Sequence, residues 1–327
     1  MKPKLTIAIP TYNRENYISI ALDSIFIQYD ERIEVLVSDN CSTDNTEALV
    51  KSKYPKVRYE KNSINLGPDG NFLECYRKAR GEYVLLLGDD DVLTKGALEN
   101  ILTFLDMNSE VFLVFLNHTS FYGQYKGLEY CKEPFVNKGI RSFISNDKNE
   151  FLKVARYQLS FMSSCVVRTD KISEINNPKR YIGTSFIHTC IAFEATKSQE
   201  SLLGYIEYPC VAQNLTENYG NLNTKWVFEV FGNKEKYALC DIGSSCNYST
   251  KLLNKFYSEF VCTTWPKMIM SYKAKGIEDW RVNFWAYGYP AIKKYWKAWI
   301  TIMPAVFCPK CFARLLRTVK KKVFMQI

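Results

Sequence analysis

The chain has 327 residues, enough to bury one large core or two smaller ones. Its hydrophobic content of 47%, charged content of 24% and formal charge of +9 are those of an ordinary soluble globular protein with a basic excess. The eleven cysteines show no disulfide-like framework, no secretory signal precedes the first strand, and no apolar run reaches the ~20 residues of a membrane span, so we expect a reduced, cytoplasmic protein.

Strand and helix patterns alternate through the first 90 residues. Apolar runs at residues 5–9, 33–37, 57–60 and 82–87 predict strands, and helical spacing predicts helices at residues 18–28, 46–53 and 71–80. A helix at residues 95–106 and a strand at residues 111–116 follow. This order predicts an α/β fold with a mostly parallel sheet flanked by helices.

The pattern weakens in the second half of the chain. Residues 118–150 are aromatic and polar without a clear period, and we interpret them as an insertion or lid. Beyond them the sequence predicts a strand at residues 163–168, a helix at 187–196, one or two strands at 203–211 and helices within 225–262. The second half is therefore expected to be mostly helical.

Four polar loops follow or flank the strand ends of the predicted sheet, at residues 10–14, 38–44, 65–71 and 88–91. The carboxyl ends of parallel strands lie along one edge of a sheet, which is where ligands bind in α/β folds. We therefore expect the four loops to converge on one crevice.

The last of these loops contains three consecutive carboxylates, Asp89, Asp90 and Asp91, directly after an apolar run and Gly88. Like charges this close repel each other unless a cation or a donor-rich ligand holds them. Carboxylate oxygens at a strand end suit a divalent metal that carries a phosphorylated ligand. The alternative, a solvated acidic turn, is disfavoured by the buried strand that precedes it.

The four motifs, in this order and at this spacing, resemble those of family 2 glycosyltransferases of the GT-A fold. The resemblance rests on Pro10-Thr11-Tyr12-Asn13-Arg14, Ser38-Asp39-Asn40-Cys41-Ser42-Thr43-Asp44, Asn65-Leu66-Gly67 and Gly88-Asp89-Asp90-Asp91. It covers residues 4–106 and continues more weakly to about residue 215. The run Leu87-Gly88-Asp89-Asp90-Asp91 is similar to the abequosyltransferase-like branch of bacterial surface-polysaccharide enzymes.

The resemblance implies a donor site for a nucleoside-diphosphate sugar. Asp39 matches the aspartate that reads the nucleotide base, and a carboxylate there can accept the N3–H of uracil or thymine, which favours a pyrimidine nucleotide. A helix-capping turn residue is the alternative for Asp39, and we favour that alternative for Asp44. The implied nucleotide-sugar contacts are Pro10, Thr11, Tyr12, Asn13, Arg14, Asp39, Asn65, Gly67 and Asp89.

The resemblance also implies Mn²⁺ or Mg²⁺ at the acidic cluster. The usual pattern is Asp-x-Asp, and here Gly88 stands in the place of the first aspartate. Asp90 is then the expected metal ligand, with Asp91 as a second ligand or as a group that orients the acceptor or a metal-bound water. The ion would neutralise the charge that grows on the leaving nucleoside diphosphate.

The catalytic base is where this sequence departs from the family. Inverting members use a carboxylate about twenty residues before a proline-containing strand, here residues 204–209, and counting back leads to His188 rather than to an acid. Histidine can serve as a base at neutral pH, although a buried or surface structural histidine is an equal alternative. Glu194 is the second candidate, and residues 161–164 match the part that forms the acceptor floor.

Residues 251–327 contain fifteen Lys or Arg against three acids, a net of +12, which leaves −3 for residues 1–250. From residue 291 the cations alternate with Trp, Tyr and Leu, and residues 312–322 have the spacing of a basic amphipathic helix. This pattern favours attachment to an anionic membrane, the inner face of a bacterial cell membrane, over an ordinary solvated face packed on the domain, and we expect no nucleic-acid partner. The pair Cys308 and Cys311 lacks a second pair for zinc.

We therefore predict three regions: a nucleotide-sugar and acceptor domain over residues 1–215, with its nucleotide-binding half at 1–106, a helical extension at 216–290, and a membrane-associating tail at 291–327. The predicted function is metal-dependent, inverting transfer of a sugar to a glycan or polyprenol-linked acceptor. A magnesium-dependent nucleotidyl- or phosphotransferase is an alternative, which the absence of a Gly-x-x-x-x-Gly-Lys-Ser/Thr loop disfavours. A non-catalytic binder of nucleotides or anionic surfaces is another.

Overall fold

A computed structural model describes residues 2–136, 139–216, 223–311 and 313. Its nine strands within those residues are β1 (Leu5–Thr11), β2 (Ile33–Asp39), β3 (Arg58–Lys61), β4 (Tyr83–Leu86), β5 (Val92–Leu93), β6 (Val111–Phe121), β7 (Phe143–Ser145), β8 (Cys165–Arg168) and β9 (Leu202–Asn214). All nine belong to one sheet, in the order β3-β2-β1-β4-β8-β6-β9-β5, with β7 beside β9.

The first four strands in the sheet order are parallel. Strand β1 lies between β2 and β4, with Leu5 paired to Ile33 on one side and to Tyr83 on the other. Strand β3 extends the sheet beyond β2. Because β1, β2 and β4 end at the same edge, the loops that follow them meet there.

The second half of the sheet is mixed. Strand β8 inserts antiparallel between β4 and β6, and β9 pairs with β6 in parallel, with register shifts near Leu113 and His118. Strands β5 and β7 each pair antiparallel with β9. The sheet is thus parallel at the nucleotide-binding half predicted from the sequence and mixed beyond it.

The α-helices in the described residues are α1 (Ile18–Phe26), α2 (Thr46–Lys53), α3 (Gly67–Lys78), α4 (Ala97–Met107), α5 (Lys148–Ala155), α6 (Thr169–Ser173), α7 (Ile187–Ala195), α8 (Thr224–Phe228), α9 (Gly243–Ser245), α10 (Thr250–Lys275), α11 (Trp280–Asn283), α12 (Tyr289–Ile292) and α13 (Trp296–Phe307). Segments Glu229–Lys234, Tyr237–Ile242 and Phe284–Gly288 are π-helical.

Two apolar cores cover the two faces of the sheet. Helices α1 and α4 contribute to one core, together with Val35 and Val37 of β2. Helices α3, α5, α7 and α10 contribute to the other, together with Leu36. Successive residues of a strand point to opposite faces, so β2 supplies both cores from one run. The predicted α/β class with a mostly helical second half is confirmed.

The C-terminal helices pack against the second core instead of standing apart from it. Trp265 of α10 is fully buried and meets Phe228 and Phe284 edge-on, with ring centroids 5.4 and 6.3 Å away. Within the described residues, no helix combines the length and apolarity needed to cross a bilayer. The expected amphipathic helix at residues 312–322 lies outside the described residues, apart from Ala313.

Candidate active site

The loops that follow β1 and β4 are joined by side-chain hydrogen bonds. Thr11 Oγ1 donates to Asp89 Oδ2 at 2.8 Å, and Arg14 Nε donates to Asp89 Oδ1 at 3.0 Å. Arg14 Nη2 donates to Asp90 Oδ2, also at 3.0 Å. The predicted convergence of loops 10–14 and 88–91 is therefore observed, with a guanidinium group between two carboxylates.

The loops after β1 and β2 are also joined. The backbone N–H of Asn13 donates to Ser42 Oγ at 2.9 Å, and the N–H of Thr43 donates to Asn13 Oδ1 at 2.8 Å. Asn13 and Cys41 adopt left-handed backbone conformations, with φ of 54° and 69°. Residues other than glycine adopt this region at a cost, and such strain concentrates at functional sites.

Two adjoining cavities lie along this edge of the sheet. The first, of about 270 Å³, is lined by Pro10, Thr11, Tyr12, Arg14, Asn40, Asn65, Pro68, Asn71, Phe72 and Asp89. The second, of about 340 Å³, is lined by Pro10, Phe72, Gly88, Asp89, Asp90, Asp91, Phe161, Met162, Gln213 and Asn214. Since Pro10, Phe72 and Asp89 belong to both walls, one elongated ligand can occupy the two cavities together.

Most of the predicted nucleotide-sugar contacts lie at the first cavity. Tyr12 is 45% exposed beside it, so its ring is available for stacking. Asn13 and Gly67 are outside the lining but hold neighbours in place: Asn13 joins loop 38–44, and the carbonyl of Gly67 accepts from Asn40 Nδ2 at 3.2 Å. Six of the nine predicted contact residues therefore line one cavity, and their contacts with a nucleotide sugar stay a prediction.

Asp39 is placed differently from its expected role. It is fully buried and lines neither cavity, and its carboxylate accepts hydrogen bonds from Ser42 and from the hydroxyl of Tyr59, at 2.6 Å in the latter case. The pKa of Tyr59 is raised, mainly because its hydroxyl group is buried and secondly because it donates to the Asp39 carboxylate. These hydrogen bonds are those of a turn residue, the alternative that the sequence offered, and the contact of Asp39 with a nucleotide base stays a prediction.

Asn40 lines the first cavity instead, and sequence reasoning missed it. Its side chain shares the strand face of Leu36, whereas Asp39 shares the face of Val35 and Val37. Asn40 Nδ2 donates to Asn65 Oδ1 at 2.8 Å, and Asn40 Oδ1 accepts from the N–H of Leu66 at 2.8 Å. The alternation along β2 was the signal that could have identified it.

The three carboxylates of loop 88–91 have different environments. Asp90 contacts Arg14 at the second cavity with a side chain that is 25% exposed. Burial raises the pKa of Asp89, although Arg14 and Thr11 oppose the shift. Burial and then the charge of Asp90 raise the pKa of Asp91 to about 7. Asp91 is therefore partly protonated near neutral pH.

Asp91 is held by two neighbours that keep its carboxylate in place. Its Oδ2 accepts from Ser163 Oγ at 2.6 Å and its Oδ1 accepts from the N–H of Asn214 at 3.1 Å. A Cβ atom on Gly88 would come within 2.6 Å of Asp91 Oδ2. The carboxylate thus occupies the space that a first aspartate of an Asp-x-Asp pattern would need, which explains the glycine.

His188 and Glu194 line neither cavity. His188 Nε2 lies 2.8 Å from the carbonyl oxygen of Ser160, so it carries the proton, and burial lowers the pKa of the ring. His188 meets Phe72 edge-on at 5.7 Å, behind the wall of both cavities. Glu194 accepts hydrogen bonds from Arg180 and Tyr181, each at 2.7 Å.

A buried acid that the sequence did not single out lies on the same network. Glu235 is 1% exposed, and its Oε1 accepts from Ser160 Oγ at 2.8 Å. Its Oε2 has no partner among the described residues, and burial raises the pKa of Glu235 to about 8. The carboxyl group is therefore largely protonated at neutral pH.

Comparison with known families agrees with this architecture. Residues 6–158 match the family model described as Glycosyl transferase family 2. These residues belong to that family. The family 2 match includes β1, β2, β4 and all four loops of the crevice.

Two curated relatives are identical to this chain at about a third of the aligned positions. The abequosyltransferase RfbV of Salmonella typhimurium is 32% identical over 227 residues, which cover 63% of this chain and 65% of that protein. The GalNAc(5)-diNAcBac-PP-undecaprenol beta-1,3-glucosyltransferase of Campylobacter jejuni is 36% identical over 104 residues, which cover 31% of this chain and 34% of that one. The chain thus spans less than two thirds of each relative's length.

Solved structures show the same fold. The crystal structure of Staphylococcus aureus TarS 1–349 in complex with UDP-GlcNAc superposes with a TM-score of 0.60 and covers 88% of this chain and 81% of that one, at 17% identity. A TarS 1–349 structure with UDP gives a TM-score of 0.55 at the same identity. The family 2 domain has the GT-A fold of these glycosyltransferases, which confirms the expected fold class.

The residues of the family 2 domain fit a divalent ion only together with a ligand. Within the described residues, no three His, Cys, Asp or Glu side chains are placed to hold a metal. Asp90 faces the second cavity, while Arg14 already places positive charge beside Asp89 and Asp90. Mg²⁺ is commonly bound by one or two carboxylates plus substrate phosphates and waters. The donor set suits a metal that arrives with a diphosphate.

Proposed function

We propose that this chain is a glycosyltransferase that moves a sugar from a nucleoside-diphosphate sugar to a hydroxyl group of a glycan or polyprenol-linked acceptor in bacterial surface-polysaccharide synthesis. The observation that carries the proposal is the pair of adjoining cavities that share Pro10, Phe72 and Asp89, with Asp90 in the wall of the second. The family 2 match and the names of the relatives point to the same reaction.

The donor is proposed to lie across both cavities. The nucleoside occupies the first cavity beside Tyr12 and Asn40, and the diphosphate extends past Asp89 toward the second. Arg14 supplies fixed positive charge at this point, which suits a phosphate group. A pyrimidine nucleotide is favoured, since TarS was solved with UDP-GlcNAc and with UDP.

Mn²⁺ or Mg²⁺ is the proposed cofactor, with Asp90 as its protein ligand. When bound, such an ion supplies Lewis-acid stabilisation of the leaving diphosphate. Asp91 is the second predicted ligand, but Ser163 and Asn214 hold its carboxylate, so we assign it the role of positioning loop 88–91 or taking up a proton.

Asp91 is the proposed base that the geometry favours. Asp91, which the sequence suggested as a metal ligand or an orienting group, lines the second cavity, whereas the two predicted bases His188 and Glu194 do not. Its pKa of about 7 suits a group that must accept a proton from the acceptor hydroxyl near neutral pH. The acceptor is proposed to approach over Phe161 and Met162, and direct displacement with inversion is the expected stereochemistry.

The site of action is proposed to be the inner face of a bacterial cell membrane. The Campylobacter jejuni relative is named for an undecaprenol-linked substrate, and residues 251–327 of this chain have a net charge of +12. An acceptor dissolved in the membrane and an enzyme attached to its surface would meet in two dimensions, which raises their encounter rate.

The test combines ligand binding with product analysis. The full chain is heated with UDP, CDP, dTDP, ADP and GDP, with and without Mn²⁺, and a bound nucleotide raises the melting temperature. The nucleotide that binds selects the nucleotide sugars to be incubated, and mass spectrometry then detects donor hydrolysis or transfer. We expect a response to a pyrimidine diphosphate that Mn²⁺ strengthens; no response to any nucleotide would remove the proposal.

A further inference from the structure

Helix α13 exposes large apolar side chains to solvent along one side. Trp296 is 69% exposed, Trp299 48%, Ile300 64% and Phe307 67%. At 3.6 residues per turn these positions fall within about 100° of the helix circumference. Monomeric proteins rarely leave so many large apolar groups together in water, unless the surface has a partner.

The exposed side continues onto the preceding segment. The ring of Trp299 meets Tyr289 with centroids 5.8 Å apart, and Tyr289 meets Trp285 at 5.0 Å. Trp285 is itself 39% exposed. We call Trp285, Trp296, Trp299, Ile300 and Phe307 the α13 patch.

The exposure of the patch does not come from loose packing of the helix. Ala298, Ile302 and Val306 of α13 are buried, and the helix packs on α10. Lys273 of α10 donates from Nζ to the carbonyl oxygens of Ala305 and Val306, at 2.7 and 2.8 Å. This buried ammonium group satisfies carbonyls at the C-terminus of α13 and anchors it. The patch is therefore a fixed surface of the fold.

The surroundings of the patch are strongly basic. From Arg281 to Lys310 the chain has five Lys or Arg and no Asp or Glu. Lys293, Lys294 and Lys297 are exposed, and none of the three lies within 4.0 Å of a carboxylate among the described residues. Exposed indole rings beside unpaired lysines are typical of a surface that enters the headgroup region of an anionic bilayer.

We propose that the α13 patch is the surface by which this protein docks on an anionic lipid bilayer, with the Trp, Ile and Phe side chains in the headgroup and acyl boundary and the lysines on lipid phosphates. The contact is thereby assigned to one folded helix face within the tail 291–327 that the sequence predicted to attach to a membrane. The inference rests on the membrane location in the proposed function and names its surface, and it is tested separately because lipid binding can be measured without a donor or an acceptor.

The charge on the patch favours lipid over a second copy of the chain. In a twofold symmetric contact the same surface meets itself, so Lys293, Lys294 and Lys297 would be brought near their own counterparts. Such like-charge contacts are destabilising, whereas anionic lipids neutralise them. The charge of the patch therefore favours an anionic bilayer as its partner.

The test is co-sedimentation of the full chain with vesicles of phosphatidylcholine alone or mixed with phosphatidylglycerol. We expect the protein to bind the mixed vesicles, its Trp emission to shift to the blue, and salt to weaken the binding.

The variant W296S/W299S/I300S removes exposed groups, so it should keep the wild-type melting temperature. It should bind the mixed vesicles at least about tenfold more weakly, given the transfer free energy of three large apolar side chains. The matched control is I27S/M107S, at positions 84% and 79% exposed outside the patch, which should bind like wild type.

Three outcomes would overturn the proposal. The first is that the wild-type protein stays in the supernatant with the mixed vesicles. The second is that the W296S/W299S/I300S variant pellets with them as wild type does. Light scattering that shows a dimer which W296S/W299S/I300S dissociates would assign the patch to a second copy instead. None of these outcomes bears on nucleotide binding, so failure here is distinguishable from failure of the proposed function.

Discussion

Arg14 Nη2 lies 3.0 Å from Asp90 Oδ2, and the same guanidinium group reaches Asp89 Oδ1 through Nε at 3.0 Å. The arginine comes from the loop after β1 and the aspartates from the loop after β4, so one side chain joins two strand ends of the parallel sheet. It places positive charge where the proposed donor diphosphate would lie.

Replacing Arg14 by Gln leaves Asp89 and Asp90 without this guanidinium group. We expect a loss of about 1–2 kcal/mol of stability, since the pair is only partly buried. Mn²⁺ should then raise the melting temperature of the variant more than that of wild type, because the ion offsets the same repulsion. The matched control is Arg32→Gln, at an exposed arginine bonded to Asp30 and Asp106. If Mn²⁺ raised the melting temperatures of wild type and Arg14→Gln equally, this explanation of the Arg14 contacts would be wrong.

Asp90→Asn tests the proposed metal ligand. The side chain is partly exposed at the second cavity, so the variant should remain folded while transfer falls by about a hundredfold or more, the size of loss expected when one electrostatic contact to a developing charge is removed. The nucleotide-induced rise in melting temperature should also lose its dependence on Mn²⁺. Asp106→Asn, an exposed surface aspartate paired with Arg32, should retain wild-type activity. Near-normal transfer by Asp90→Asn would remove the metal from the mechanism.

Gly88→Ala is expected to destabilise the protein by about 1–3 kcal/mol. The added Cβ would lie 2.6 Å from Asp91 Oδ2, and moving that carboxylate breaks its bonds to Ser163 and Asn214. Gly88→Asp, which restores an Asp-x-Asp pattern, should be more destabilising and less active than Gly88→Ala. Urea unfolding and transfer assays measure both effects. If Gly88→Asp were as stable as wild type and more active, the spatial explanation for the glycine would be incorrect.

Asp91→Asn and His188→Gln separate the two leading candidates for the base. We expect Asp91→Asn to lower kcat by about a hundredfold or more and to abolish the limb of the pH–rate profile near pH 7. His188→Gln can still donate to the carbonyl of Ser160, so its kcat should stay within about tenfold of wild type. Ser163→Ala controls for loop disturbance, since it removes a neighbour of Asp91 but keeps the carboxylate. The reverse pattern would assign the base to His188.

Glu235 makes stability depend on pH in a defined direction. Burial raises its folded-state pKa from 4.5 to about 8. Between these values the unfolded chain releases the proton and the folded chain keeps it, so stability falls as pH rises and levels off above about pH 8. The slope due to one such group is at most about 1.4 kcal/mol per pH unit.

Glu235→Gln should remove this contribution. The melting temperature of the variant is expected to exceed that of wild type by an amount that grows from about pH 5 to about pH 8. Glu229→Gln, at a half-exposed acid in the same helical region, should leave the pH dependence unchanged. Parallel curves for wild type and Glu235→Gln would show that Glu235 is ionised in the folded protein.

Much of the N-terminal half could be predicted because its signals are local. Each strand of the parallel part is a short apolar run, each following loop is polar, and parallel strands must end at a common edge. The sequence therefore predicted that loops 10–14 and 88–91 meet at one crevice, and the structure shows Arg14 bonded there to Asp89 and Asp90. The four motifs also predicted the family to which residues 6–158 belong.

The orientation of individual side chains was less accessible. The motif pointed to Asp39, yet the alternation of β2 turns Asp39 toward Tyr59 and leaves Asn40 at the cavity. Strand β6 is also longer than predicted, since it continues to Phe121 through residues whose mixed polarity concealed their pairing with β9. In both cases the deciding partner is distant in sequence.

By itself, the sequence determined the α/β class, the edge of the sheet that carries the site and the basic character of the C-terminal region, since periodicity and charge are properties of neighbouring residues. Only the tertiary structure decided that β8 inserts between β4 and β6, that His188 and Glu235 meet at Ser160, and that α13 leaves its tryptophans in solvent. These features depend on which distant segments pack together, and the packing that is adopted depends on how much apolar surface the whole chain buries.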